Sequence, residues 1–142
     1  MLAPMFDSCL YFNTTALARQ LEREWAAAFA PFQLTPPQAF MLRMVLDRPG
    51  LLQRELADAL AISRPTATRA LDGLQAKGLV ERRASPRDGR ELAIHPRPKA
   101  VAMKAALNDA SGAVTARLKK LLGAGSFADA VSQMKGIRSA LQ

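Results

Sequence analysis

Apolar residues recur at steps of three and four over long stretches at both ends of the chain, a spacing that predicts helices. Leu10, Thr14, Leu17, Leu21, Trp25, Ala28 and Phe32 share one face of a helix from about Asp7 to Ala30, with Arg19, Glu22 and Arg23 off that stripe. Met103, Leu107, Ala110, Val114, Leu118 and Leu121 mark a second long helix, about Lys99 to Leu122. Gly123 and Gly125 interrupt it, and Ser126 is placed to cap a last helix striped by Phe127, Val131, Met134, Ile137 and Leu141.

The middle of the chain changes pattern more often. Thr35-Pro36-Pro37-Gln38 reads as a capping box with Pro at the first helical position. The run AFMLRMVL that follows is apolar almost all round, which places it at the centre of a domain. Asp47 to Gly50 supplies turn chemistry. A short helix is expected from Leu52 to Leu60, then a break at Ala61-Ile62-Ser63, then a helix from Arg64 to Lys77 capped by Ser63. Gly78 suits the left-handed position after that helix, with Leu79 making the accompanying apolar contact. Leu79–Arg83 and Glu91–His95 are strand candidates around a loop, 84–90, that holds Pro, Asp and Gly. The expected fold is mainly α with a small β-hairpin, organised as an N-terminal helix over 1–34, a central module over 35–98 and C-terminal helices over 99–142, in one compact domain.

Two short helices joined by a tight turn form a helix-turn-helix, whose second helix enters a DNA major groove. Leu56, Leu60 and Ile62 are placed to pack on Ala67, Leu71 and Leu74. At 100° per residue, Ala67, Leu71, Leu74 and Gly78 fall on one side and Pro65, Arg69, Asp72 and Ala76 on the other, flanked by Thr66 and Thr68. The free face near the N-terminus thus offers Arg for guanine, Thr as donor or acceptor, and apolar surface for thymine methyls. Arg64 lies nearer the helix start, where a phosphate contact fits. Arg87, Asp88 and Arg90 sit at the tip of the hairpin, flanked by Arg82 and Arg83. An arginine on a narrow projection can enter the minor groove, and Asp88 would aim Arg87 or Arg90 through a bidentate pair.

Charge supports this placement. The 142 residues carry a net charge of +8, unevenly distributed. Residues 1–62 have five basic and six acidic side chains, residues 63–99 nine and four, and residues 100–142 six and two. The surplus begins at Ser63, where the groove-reading helix starts, so a polyanionic partner is expected. The length allows one domain with a real core. A lone cysteine and a lone histidine, His95, leave no zinc set and no internal disulfide. His95 decorates a strand end. No phosphate-binding Gly loop or nucleophile triad is present, so no enzyme and no cofactor are expected. With no signal peptide and no membrane span, the chain is expected in the cytoplasm.

The segment from Leu56 to His95 resembles the winged helix-turn-helix of the MarR family of bacterial regulators. The likeness is carried by Ser63-x-Pro65-Thr66-x-Thr68-Arg69, by Lys77-Gly78-Leu79-Val80 and by Asp88-x-Arg90. One departure is the segment His95-Pro96-Arg97-Pro98-Lys99-Ala100, where the family commonly has Leu-Thr and a Gly before the long helix. The resemblance implies double-stranded DNA as partner, read by Ser63, Arg64, Pro65, Thr66, Thr68 and Arg69 and by the wing residues Arg83, Arg87, Asp88 and Arg90. It implies a homodimer joined through the terminal helices, which are also long for the core they would cover alone. It further implies release by a small, often aromatic, effector. The alternative is an interaction module of the same fold without DNA binding, against which Thr66, Thr68, Arg69 and Arg90 speak. Cys9 lies where a peroxide-sensing branch of the family keeps a reactive thiol. A helix N-terminus favours a thiolate, whereas a lone cysteine more commonly acts as a small buried hydrophobe.

Overall fold

The computed structural model describes residues 5–87 and 89–142; Asp88, expected to aim a wing arginine, lies outside the described residues. The chain begins with α1 (Leu10–Phe29) and a 3-10 turn (Ala30–Phe32), followed by α2 (Pro36–Asp47). The central module continues through β1 (Leu51–Leu52), α3 (Gln53–Ala59), α4 (Arg64–Ala76), β2 (Val80–Ala84) and β3 (Leu92–Pro96). Two helices, α5 (Pro98–Leu122) and α6 (Ala124–Ala140), complete it.

The core is built around α2, whose Ala39, Met41, Leu42, Val45 and Leu46 are buried. Leu56 and Ala57 of α3, Ala67, Leu71 and Leu74 of α4, Ile94 of β3 and Leu107 of α5 close over it, with Phe29 from the end of α1. The Thr35 capping box forms as expected: the Thr35 hydroxyl accepts from Gln38 N–H, and the Gln38 amide oxygen accepts from Thr35 N–H at 3.1 Å.

Several boundaries differ from expectation. The first helix starts at Leu10, with Cys9 as N-cap. Leu51 and Leu52 form an extra strand, so the hairpin becomes a three-stranded antiparallel sheet in the order β1-β3-β2, with Leu52 opposite Ala93 and Arg82 opposite Ile94. A two-residue strand leaves no periodicity to read. The last helix begins at Ala124, and Gly123, at φ +87°, holds the cap position expected for Ser126. Gly123 serves at once as C-cap of α5 and N-cap of α6, leaving Ser126 inside the helix. At the departure noted above, Arg97 takes an extended N-cap conformation, its N–H donating to Leu79 O at 2.9 Å, and Pro98 opens α5. No described helix is long and apolar enough to cross a membrane, and no described group of His, Cys, Asp or Glu could hold a metal.

Candidate nucleic-acid interface

The turn between α3 and α4 is four residues long and closes as a Schellman motif. Ile62 N–H donates to Ala57 O at 3.0 Å and Ala61 N–H to Asp58 O at 3.1 Å. Ala61 occupies the left-handed position at φ +55°, where a glycine is usual. The same arrangement ends α4, this time with Gly78 at φ +71°, Leu79 N–H on Leu74 O and Gly78 N–H on Gln75 O. Both ends of the second helix are therefore fixed by local chemistry, and its apolar face settles the rotation: Ala67, Ala70, Leu71 and Leu74 are buried, while Pro65, Thr68, Arg69, Asp72 and Ala76 are exposed.

At its N-terminus the hydroxyls are ordered. Ser63 Oγ accepts from Thr66 N–H and donates to Thr66 Oγ1 at 2.9 Å. Arg69 lies along the helix with its guanidinium donating to Thr66 Oγ1 at 3.3 Å. Thr66 Oγ1 thus accepts twice, leaving its own proton to donate. Thr68 differs. Its proton goes to Arg64 O at 3.0 Å, and it accepts from Gln53 Nε2 at 2.8 Å. Thr68 consequently presents a methyl and one lone pair. Gln53, absent from the expected site, stands beside it because the chain folds the start of α3 onto α4.

The wing stands next to this helix. Arg82 on β2 binds back to α4, 2.9 Å from Asp72 Oδ1 and 2.5 Å from Gln75 Oε1, and so anchors the base of the hairpin. Arg83 is held by Glu81 on the same strand, and Arg87 by Glu55 of α3. The Arg83 guanidinium holds the Glu81 carboxyl below the ordinary carboxylate range. The Arg87 guanidinium, and then the Leu52 N–H, do the same for Glu55, while the Arg87 pKa is raised in return. Arg64 and Arg90 line one cleft of about 300 Å³ between α3, α4 and the wing, together with Gln53, Arg54 and Glu91. Three arginines and one carboxylate on one cleft give it a positive balance, which suits an anionic group such as a phosphate.

Elsewhere, an apolar crevice of about 470 Å³ lies between α1, α2 and the turn before α4, lined by Leu21, Trp25, Pro36, Phe40, Leu60 and Ile62 among others. Phe40 and Leu60 also border a second cleft that carries Arg43, Asp47, Lys104 and Asn108. Arg43 donates to Asn108 Oδ1 at 2.8 Å and to Ser111 Oγ at 3.0 Å, and burial lowers its pKa. Cys9 is exposed and accepts from Phe12 N–H at 3.5 Å, which corrects the buried reading of that thiol. Its position at the helix start leaves it capping rather than packing. Tyr11 is exposed as well.

A helix-turn-helix with a free N-terminal face, joined to a basic wing, defines a DNA-binding transcriptional regulator. The MarR family model matches residues 32–91, the segment that holds both elements. A helix-turn-helix transcriptional repressor of Mycobacterium tuberculosis is 35% identical over 116 residues, covering 79% of this chain and 84% of that protein. A protein of Thauera aromatica named for regulation of the hcr operon is 32% identical over 102 residues, and the match spans 61% of its length. The structure of the transcriptional repressor CouR bound to a 23-mer DNA duplex has a TM-score of 0.88 at 28% identity, over 97% of this chain and 99% of that one. The complex of Staphylococcus aureus MepR with DNA shares the fold, with a TM-score of 0.83 at 18% identity, over 94% of this chain and 99% of that one. The chain belongs to the MarR family.

Proposed function

We propose that the chain acts as a homodimeric repressor in the cytoplasm, binding a two-fold symmetric operator and leaving it when a small organic effector occupies the crevice beside Trp25. The observation that carries the reading is the ordered, exposed N-terminal face of α4 next to the wing. Ser63, Thr66, Thr68 and Arg69 read a major groove, with Pro65 toward thymine methyls. Arg64 and Arg90 take backbone phosphate and the adjoining minor groove, with Arg83 and Arg87 beside them in the wing. Dimerisation is supported by the apolar side chains that one chain leaves in water just before α1, at its start and along α6, among them Phe6, Leu10, Phe12, Val131, Met134 and Ile137. Two α4 helices in such a dimer would meet half-sites about 34 Å apart, one turn of duplex, or a multiple of that spacing.

Selection of bound duplexes from a random pool tests the reading. A palindromic consensus supports it, and binding without sequence preference would end it. Arg69→Ala is expected to weaken operator binding by about 1–3 kcal/mol and to relax one base position per half-site, measured by competition against single-base variants.

The effector class is drawn from likeness and shape together. CouR is also known bound to p-coumaroyl-CoA, with a TM-score of 0.87 at 26% identity. Here an apolar crevice adjoins a cleft in which Arg43 and Lys104 outnumber Asp47, which suits an aromatic acyl group with an anionic remainder. Trp25 is the one tryptophan of the chain and lines the crevice. Titration with p-coumaroyl-CoA, followed by tryptophan emission and by operator release, tests this class.

A further inference from the structure

Three consecutive side chains at the start of α3 each meet a different part of the surface proposed to face DNA, two through hydrogen bonds and one as an ion pair. Gln53 Nε2 donates to Thr68 of α4 at 2.8 Å. Arg54 Nε lies 3.3 Å from Glu91 Oε2, in the loop just before β3. Glu55 takes the Arg87 guanidinium on the other flank, Oε1 accepting from one terminal nitrogen and Oε2 from the other at 3.4 Å. Residues one and two apart on a helix point in different directions, so a single turn can reach three places.

Glu55 is pre-set for this task. Its Oε1 also accepts from Leu52 N–H at 2.9 Å, and Leu52 is paired with β3 opposite Ala93. The carboxylate is therefore fixed at the start of α3 by a local capping bond that does not depend on Arg87. An exposed ion pair ordinarily loses much of its attraction to the ordering of two long side chains. Here one of the two is already ordered.

A carboxylate beside a DNA-facing loop is costly if its partner is meant for phosphate, because it both repels the duplex and occupies the guanidinium. It is useful if the loop must stand at a fixed angle before DNA arrives, since a pre-organised element loses less freedom on binding. We propose that Glu55 is a positioning residue for DNA binding, holding Arg87 so that the wing is set beside α4, and that Arg87 serves the interface through this bond rather than by contacting the duplex. This rests on the reading that the wing lies against DNA, which a hydroxyl-radical footprint of the wild type tests separately by protection flanking each half-site.

The test is a cycle of Glu55→Gln, Arg87→Gln and the double substitution, each checked for cooperative unfolding and unchanged helical circular dichroism at the assay temperature. The amide oxygen introduced by Glu55→Gln remains an acceptor for Leu52 N–H, and Arg87→Gln breaks the pair without touching that bond. Each single substitution is expected to weaken operator binding about fivefold, the order set by newly mobile side chains and loop, and the double no further. Flanking protection should fade while protection under α4 stays, a split that a general loss of folding would not produce. The slope of log Kd against log salt should not change. Tighter or unchanged binding by Glu55→Gln, or a slope reduced by about one for Arg87→Gln, would mean that Arg87 contacts phosphate and that Glu55 merely competes for it.

Discussion

Ala61 is one of two non-glycine residues with positive φ among those described, and it sits in the turn that sets the angle between α3 and α4. Its Cβ meets the steric cost of the left-handed region, which a glycine avoids. Ala61→Gly is expected to raise stability by up to about 1 kcal/mol in urea unfolding, reduced from the full steric cost by the greater freedom of glycine in the unfolded chain. Glu55 makes a second residue-scale prediction. Its native pKa is depressed, so its contribution to stability is present above the unfolded carboxylate value and is lost as pH falls through the lowered native one. An NMR titration of its side-chain carboxyl should give a midpoint below the ordinary glutamate value, rising toward it in Arg87→Gln. Caps such as Thr35, Ser63 and Gly78 were legible in the sequence because their partners lie within a few residues. Gln53 and Glu55 were not, since their partners lie 15 and 32 positions away and only the packing of α3 brings them together.

Among the elements, α1, α2 and α5 are joined by one small polar node. Buried Ser111 accepts from the Trp25 indole N–H at 3.0 Å and from Arg43 at 3.0 Å. Ser111→Ala removes the shared acceptor and strands two donors in a partly buried place. We expect a loss of about 1–3 kcal/mol, measured by denaturant unfolding. The stripe on α5 announced this helix, yet Ser111 falls among its buried positions, where a pattern of apolar residues carries no signal. The two-residue β1 was invisible for the opposite reason. Leu51 and Leu52 are apolar, and their strand pairing with Ile94 and Ala93 depends on residues some forty positions on.

For the whole molecule, the dominant feature is that α6 buries no residue within one chain although its apolar stripe is continuous. Periodicity marked that stripe and did not say what covers it. Ile137→Glu places a charge on the face proposed to meet a second copy. It should shift the sedimentation of the protein toward monomer and weaken operator binding, while leaving the helical circular dichroism of the chain largely intact. The step in charge at Ser63 was equally legible, because net charge adds along the chain whatever the fold. Which of those charges point outward was not, since several arginines are taken up by nearby carboxylates.

The four side chains that fasten the wing to α3, Arg54, Glu55, Arg87 and Glu91, carry two positive and two negative charges. Beyond a Debye length of about 8 Å they cancel, and an approaching duplex senses only the remaining cations. Speed of encounter and persistence of the complex are thereby assigned to separate residues. Neutralising one whole pair, Glu55 with Arg87, should hasten departure from the operator while leaving the rate of arrival nearly as it was.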